Sequence, residues 1–130
     1  EFCRQFAAVE TEFEELIAEA DIVTLHVPLT EDTENLINKS VLEKMKPSAF
    51  LINTSRGRVV NQKDLHKALV SGEIAGAGLD VFYEEPPIDI EFLQLSNLMV
   101  TPHIGGNAKE AVEAMGKAAI QNLVEYFDPK

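Results

Sequence analysis

Four short apolar runs alternate with helical patterns along the chain, and this alternation limits the possible folds more than any other feature. The runs cover residues 22–27, 49–53, 75–80 and 98–100. They are apolar at consecutive positions, which is typical of parallel strands covered by helices on both faces. The sequence therefore predicts an α/β fold, a partial doubly wound (Rossmann-like) parallel sheet with flanking helices.

Four helices are predicted from their start signals. Each begins at a residue whose side chain can accept a hydrogen bond from the first free N–H groups, and an acidic residue follows three positions later. The four pairs are Thr11 with Glu14, Ser40 with Glu43, Asn61 with Asp64, and Asn107 with Glu110. The second helix is expected to run through Met45, and the third to end at Gly72.

Composition excludes several classes of partner. The 130 residues carry 22 acidic and 11 basic side chains, a formal net charge of −11, so nucleic acid and anionic membrane surfaces are poor partners. No apolar run approaches the roughly 20 residues of a membrane span. The single Cys3 excludes an internal disulfide and a cysteine-based metal cluster, and the spacing of His and carboxylate residues matches no metal site. We expect a cytoplasmic protein without a metal.

Chemically active residues follow the apolar runs. The carboxyl ends of parallel strands meet at one edge of a sheet, and ligands bind there. Arg56 follows the second run, Asp80 and Glu85 follow the third, and His103 follows the fourth. An arginine, a glutamate and a histidine from three loops are thus expected to face one crevice.

Each of these residues also has a simpler explanation. Arg56 can hold a carboxylate bidentately, or it can cap a turn or pair with a surface carboxylate. Glu85, fixed in direction by Pro86, is either a directed carboxylate or part of a solvated acidic loop. His103 can exchange protons near neutral pH or make a structural hydrogen bond. Asp80 is either a turn acid or a partner for a cofactor amide or for the backbone of a catalytic loop.

The remaining candidates have weaker support. His26, at the end of the first run, is interpreted as a positioning or packing residue. His66 is expected on the exposed face of a helix and receives no role. The chain has no Gly-x-Ser-x-Gly motif, so a serine hydrolase is not supported. Cys3 has no neighbour that would activate it as a nucleophile.

Taken together, four segments closely resemble the D-isomer-specific 2-hydroxyacid dehydrogenases. They are ADIVTLHVPLT at 20–30, LINTSRG at 51–57, GLDVF at 78–82 with Glu84-Glu85-Pro86, and TPHIG at 101–105. They occur in the order and spacing of that family, and the resemblance extends from about residue 12 to residue 127.

The resemblance implies a reaction and a role for each catalytic residue. Arg56, Glu85 and His103 match the catalytic arginine, glutamate and histidine of the family. His103 would donate a proton to the 2-oxo oxygen as hydride reaches C2, and Glu85 would hydrogen-bond the imidazole and favour its protonated form. Arg56 would clamp the substrate carboxylate. The implied substrate is a small 2-oxo or 2-hydroxy acid.

The resemblance also implies a cofactor, NAD, with NADP as an alternative. The implied contacts lie near the adenosine (Val27 and Pro28), near the nicotinamide (Thr54, Ser55 and Arg56), at its carboxamide (Asp80) and in the turn containing His103, Gly105 and Gly106.

Parts of the family pattern are absent. The chain has no Gly-x-Gly-x-x-Gly turn and no acidic residue placed to hold the ribose hydroxyls. Residues 1–130 are therefore expected to be the C-terminal portion of a dinucleotide-binding domain, without its glycine-rich half and without the substrate domain. By itself such a chain should have no measurable dehydrogenase activity.

An alternative is a non-catalytic truncated paralogue that acts as a dinucleotide-binding or dimerisation module. In either case the strand edge left free by the missing half is expected to seek a partner, which favours a homo-oligomer.

Overall fold

The strands lie side by side in the order in which they occur along the chain. The computed structural model describes residues 2–127, which form one four-stranded, fully parallel sheet. Its strands are β1 (Ile22–Leu25), β2 (Phe50–Asn53), β3 (Gly76–Leu79) and β4 (Leu98–Val100). Each strand lies within one of the apolar runs, so the predicted α/β Rossmann-like fold is confirmed.

Helices precede, connect and follow the strands. They are α1 (Phe2–Gln5), α2 (Phe13–Glu19), α3 (Lys39–Leu42), α4 (Gln62–Ser71), α5 (Ile90–Leu93) and α6 (Lys109–Phe127), with a 3₁₀ turn at Gly57–Val59. No helix in this part of the chain is long and apolar enough to cross a membrane.

Helix α4 begins and ends where the sequence predicts. The side chain of Asn61 accepts a hydrogen bond from the N–H of Asp64 at 3.2 Å. Gly72 ends the helix in the left-handed conformation, with φ of 74°, which glycine adopts without a steric penalty. The inward face of the helix buries Leu65, Ala68 and Leu69.

The other three start signals are wrong in detail. Helix α2 begins at Phe13 after Glu12, and the Thr11 hydroxyl instead bonds the Glu15 carboxylate at 2.6 Å. Because Asn38 already accepts the N–H of Ser40, α3 begins at Lys39, and it ends at Leu42, before Met45. The N–H of Asn107 bonds the carbonyl of Ile104 in a turn, and α6 begins at Lys109.

Helices cover only one face of the sheet. Crossovers between parallel strands are right-handed, so an unbroken strand order places every connecting segment on the same side. On that side lies a core that includes Ile17, Ile37, Leu42, Leu65 and Phe92, each at most 1% exposed.

The opposite side is called the open face below. Its cross-strand neighbours are Ile22, Thr24, Phe50, Ile52, Gly76, Gly78 and Met99. Ile22 is 64% exposed and Met99 71%, and helix α6 has no buried residue. The expected cover on both faces is therefore not found within residues 2–127.

The cap of α4 provides a test of these assignments. Replacing Asn61 with Ala should lower the free energy of unfolding by about 1 kcal/mol, because the N–H of Asp64 loses its acceptor. Thr11→Ala is the matched control and should change it by less than about 0.5 kcal/mol, since that hydroxyl caps nothing. Urea unfolding of both variants gives the comparison; equal losses would contradict the observed helix starts.

Candidate active site

The loops that follow all four strands, at the carboxyl edge of the sheet, contribute to one crevice. It has a volume of about 290 Å³. Its lining consists of Leu29, Arg56, Gly57, Arg58, Val81, Phe82, Tyr83, Glu85 and His103. The arginine, glutamate and histidine singled out from the sequence are therefore brought together, as the strand order predicts.

Glu85 and His103 form a hydrogen-bonded pair. Oε2 of Glu85 lies 2.8 Å from Nδ1 of His103, and Oε1 accepts the backbone N–H of Phe82 at 3.1 Å. The bond from His103, followed by the bond from Phe82, holds the pKa of Glu85 below its ordinary value. An ionised carboxylate only accepts hydrogen bonds, so Nδ1 carries a proton. The nitrogen left to exchange a proton with a ligand is Nε2.

Asp80 holds the loop that carries His103. Asp80 as a whole is 6% exposed, and its carboxylate accepts three hydrogen bonds: from the Thr101 hydroxyl at 2.5 Å, from Ile104 N–H at 2.9 Å and from Gly105 N–H at 2.8 Å. The Thr101 bond, reinforced by the two backbone bonds, lowers the pKa of Asp80. Asp80 was interpreted as a turn acid, as a partner for a cofactor amide or as a partner for the backbone of a catalytic loop. The structure shows the last of these, with bonds to the backbone of the loop that carries His103.

The backbone of His103 is strained, a feature that the sequence did not reveal. Its φ is 52°, in the left-handed region, where a residue with a side chain costs about 1 kcal/mol or more. The bonds to Asp80 fix the chain on both sides of it. A Cβ on Gly105 would lie 2.9 Å from the Asp80 carboxylate, so this approach requires glycine.

A buried asparagine shapes the loop of Arg56, and sequence reasoning missed it. Asn53, 1% exposed, donates to the carbonyl of Arg56 at 3.0 Å and accepts the N–H and the hydroxyl of Ser55 at 3.0 and 2.9 Å. The signal was available, because an amide that ends an apolar run must find partners when it is buried.

The Arg56 side chain is exposed, and Nη1 donates to the Ser55 carbonyl at 2.7 Å. Within residues 2–127 no carboxylate lies within ion-pair distance of it. A Cβ on Gly57 would overlap the Phe82 carbonyl, so glycine lets this loop contact the loop of Glu85.

The other residues expected to contact a cofactor reach the same edge of the sheet but do not line the crevice. Val27 is half-buried and packs on the core, whereas Pro28 and Thr54 are exposed. Ser55 is engaged by Asn53, and a Cβ on Gly106 would meet nothing within 4 Å.

The two remaining histidines lie outside the crevice. His26 is exposed, with Nε2 3.0 Å from the Thr24 hydroxyl. The expectation that His66 lies on an exposed helix face was wrong: its ring packs 5.5 Å from that of Phe92, and Nδ1 lies 3.9 Å from the Asp89 carboxylate. Among the described residues, no cluster of three or more His, Cys, Asp or Glu side chains can hold a metal ion.

The bonds to Asp80 predict a pH-dependent stability. Asp80→Asn should lower the free energy of unfolding at neutral pH by roughly 1.5–3 kcal/mol, because bonds to a buried charged acceptor are lost. The folded pKa lies below 3.8, so this contribution is complete above that pH and declines as pH falls through the folded pKa.

Urea unfolding at a series of pH values, for the wild type and Asp80→Asn, measures this gap. Asp32→Asn, at an exposed position, is the control and should stay within about 0.5 kcal/mol of the wild type throughout. A gap between wild type and Asp80→Asn that widens in acid would contradict the assignment.

Comparison with known proteins agrees with this geometry. Residues 3–105 match the family model for the D-isomer specific 2-hydroxyacid dehydrogenase, NAD binding domain. A glyoxylate reductase of Thermococcus litoralis is 48% identical over 122 residues, covering 94% of this chain and 37% of that protein. The chain therefore spans little more than a third of the length of this curated relative.

Solved structures show the same fold. A glyoxylate reductase from Paecilomyes thermophila superimposes with a TM-score of 0.91 at 33% identity, over 96% of this chain and 38% of that one. The NAD-complexed D-isomer specific 2-hydroxyacid dehydrogenase of Lactobacillus delbrueckii ssp. bulgaricus gives 0.86 at 34% identity, over 94% and 42%. With its family model matched over most of its length, this chain belongs to the NAD-binding domain family of the D-isomer-specific 2-hydroxyacid dehydrogenases.

Proposed function

We propose that this chain is part of an oxidoreductase that transfers a hydride between NAD(H) and a small 2-oxo or D-2-hydroxy acid. One observation carries the proposal: a hydrogen-bonded His103–Glu85 pair lines the same crevice as Arg56, a guanidinium with no carboxylate partner among residues 2–127. A proton donor beside an anion-binding cation is what reduction of a 2-oxo acid needs.

The three side chains have distinct tasks in this mechanism. Arg56 binds the substrate carboxylate and orients the oxo group. His103 gives a proton from Nε2 to the oxo oxygen as that oxygen gains negative charge, and takes it back in the reverse direction. Glu85 holds the ring through Nδ1 and stabilises the imidazolium form. Asp80 keeps the histidine loop in its strained conformation.

NAD, when bound, supplies or accepts the hydride. The residues present fit the nicotinamide end of the cofactor: Thr54, Ser55, Arg56, Asp80 and the turn from His103 to Gly106 lie along one edge of the sheet. Val27 and Pro28 would contact the adenosine side. No glycine-rich turn for the pyrophosphate occurs in the sequence.

We also propose that residues 1–130 are the C-terminal portion of a dinucleotide-binding domain. The chain covers 37% of the Thermococcus litoralis glyoxylate reductase, a length that leaves room for a glycine-rich half and a substrate domain in a protein of that size. The name of that relative makes glyoxylate the first substrate to test.

A chimera tests the function and the domain assignment together. The 130-residue chain alone should not oxidise NADH with glyoxylate, because it cannot grip the pyrophosphate or close a cleft. Replacing the matched segment of the Thermococcus litoralis enzyme with the 122 residues of this chain that align to it should give an active protein. In that chimera, His103→Asn should lower kcat by roughly 10²- to 10⁴-fold.

His66→Asn in the same chimera is the matched control, since that ring packs on Phe92 away from the crevice. Turnover by the isolated chain would contradict the domain assignment. Full activity of the His103 variant would contradict the function.

A second proposal, self-association, is favoured by the exposed apolar residues. Three surfaces of the chain are exposed and favour association: the open face, the free edge of β1 and helix α6. The chain should therefore form homo-oligomers, as a dimerisation module would.

Sedimentation velocity checks this second proposal. The wild-type chain should sediment as a dimer or larger species at high concentration, and Ile22→Lys on the open face should shift it toward monomer. Val70→Lys is the control, because Val70 is 66% exposed but lies on helix α4 on the other side of the sheet. A wild-type chain that sediments as a monomer at high concentration would contradict self-association.

A further inference from the structure

The loop that carries Glu85 has little backbone support. Within the described chain, no backbone–backbone hydrogen bond involves residues 81–88. Val81 and Phe82 are buried and anchor the start of the loop, but Tyr83, Glu84 and Glu85 are exposed. Besides the bond that its carboxylate accepts from Phe82 N–H at 3.1 Å, the orientation of Glu85 toward His103 therefore depends on side-chain contacts made by this exposed part.

Arg58 makes such a contact. Its Cζ atom lies 5.3 Å from the centre of the Tyr83 ring, and Tyr83 precedes Glu85 by two residues. Nη2 of Arg58 bonds Oε1 of Glu34 at 2.6 Å. Arg58, Glu34 and Tyr83, called the Arg58 cluster below, thus connect the loop after β1, the loop after β2 and the loop after β3.

Two members of the Arg58 cluster are tied together through the backbone. The N–H of Asn35, next to Glu34, donates to the carbonyl of Arg58 at 2.9 Å, and Ile37 N–H donates to Val59 at 3.1 Å. Arg58 itself belongs to the 3₁₀ turn. These backbone bonds hold the segments of Glu34 and Arg58 together. The contact between Arg58 and the Tyr83 ring therefore restrains Tyr83, and with it the loop of Glu85.

The charges in the cluster suit a positioning role. The Glu34 carboxylate, with a smaller contribution from Tyr83, raises the pKa of the Arg58 guanidinium, which stays a cation. Its pairing with Glu34 also makes it a poor competitor for a substrate carboxylate. Arg56, two residues earlier, has no carboxylate partner in the described chain and is free to bind one.

We propose that Arg58 is a positioning residue of this site: anchored by Glu34 and stacked on Tyr83, it holds the Glu85 carboxylate against the imidazole of His103. Its relevance to turnover rests on the proposed dehydrogenase function. The geometric claim concerns this chain alone and can be measured without an activity assay.

The readout is the tautomer of His103, followed by two-dimensional ¹H–¹⁵N NMR of the 130-residue chain at a pH where the imidazole is neutral. The Glu85 carboxylate selects the form protonated on Nδ1, and Glu85→Gln defines the spectrum without that selection. Arg58→Gln should lower the ratio of the Nδ1–H to the Nε2–H form by roughly twofold to fivefold, the effect of losing one exposed cation–ring contact.

Lys46→Gln is the matched control. Lys46 forms an exposed pair with Asp21 at 2.9 Å, also between distant segments, but next to the amino ends of β1 and β2 and away from the crevice. It should leave the tautomer ratio unchanged. An unchanged ratio in Arg58→Gln, or an equal change in Lys46→Gln, would overturn the proposal.

A double-mutant cycle tests whether Arg58 acts through the ring. In a Tyr83→Leu background, Arg58→Gln should have no further effect on the ratio, and additive effects would overturn the proposal.

If Arg58→Gln does not fold, Glu34→Gln removes the carboxylate that anchors Arg58 and keeps the arginine. This variant should also lower the ratio, and an unchanged ratio would count against the inference. An inactive chimera combined with these NMR changes would refute the dehydrogenase function alone, whereas an active chimera with an unchanged ratio would refute the role of Arg58 alone.

Discussion

The carboxylate of Asp80 is the interaction on which the arrangement of the site depends. One buried side chain at the end of β3 accepts the Thr101 hydroxyl and two backbone N–H groups from the loop after β4. These bonds offset the unfavourable backbone conformation of His103 and hold the loop from which its side chain extends. Glu85 then bonds Nδ1 of that imidazole at 2.8 Å and orients the ring. A buried carboxylate outside the crevice lining therefore fixes the backbone conformation from which His103 reaches the crevice.

The sequence predicted the elements whose signals are local and strong. Consecutive apolar residues located all four strands, and because parallel strands present their carboxyl ends together, the meeting of Arg56, Glu85 and His103 followed. The start of α4 was correct because none of the five residues before Asn61 is a Ser, Thr, Asn or Asp that could cap the helix instead. The start of α3 was misplaced because Asn38, two residues before Ser40, accepts the same N–H group. When several polar side chains lie within one turn, the backbone geometry is needed to decide which of them caps the helix.

Other features lay beyond sequence reasoning for physical reasons. The left-handed φ of His103 is not encoded by its residue type, since histidine adopts several backbone conformations. An apolar run indicates a buried strand whether the residues that cover it belong to this chain or to another segment or partner. The sequence therefore did not predict the open face. The partners of His66 likewise depend on where α5 docks, and a short helix such as Ile90–Leu93 leaves little periodic signal.

Gly57 sets the separation between the two halves of the site. Its α-carbon lies so close to the Phe82 carbonyl that any side chain would occupy the same space. The distance between the loop of Arg56 and the loop of Glu85 is therefore set by contact between their main chains. Surrounding side chains can therefore change in size or polarity without altering the distance between these two loops.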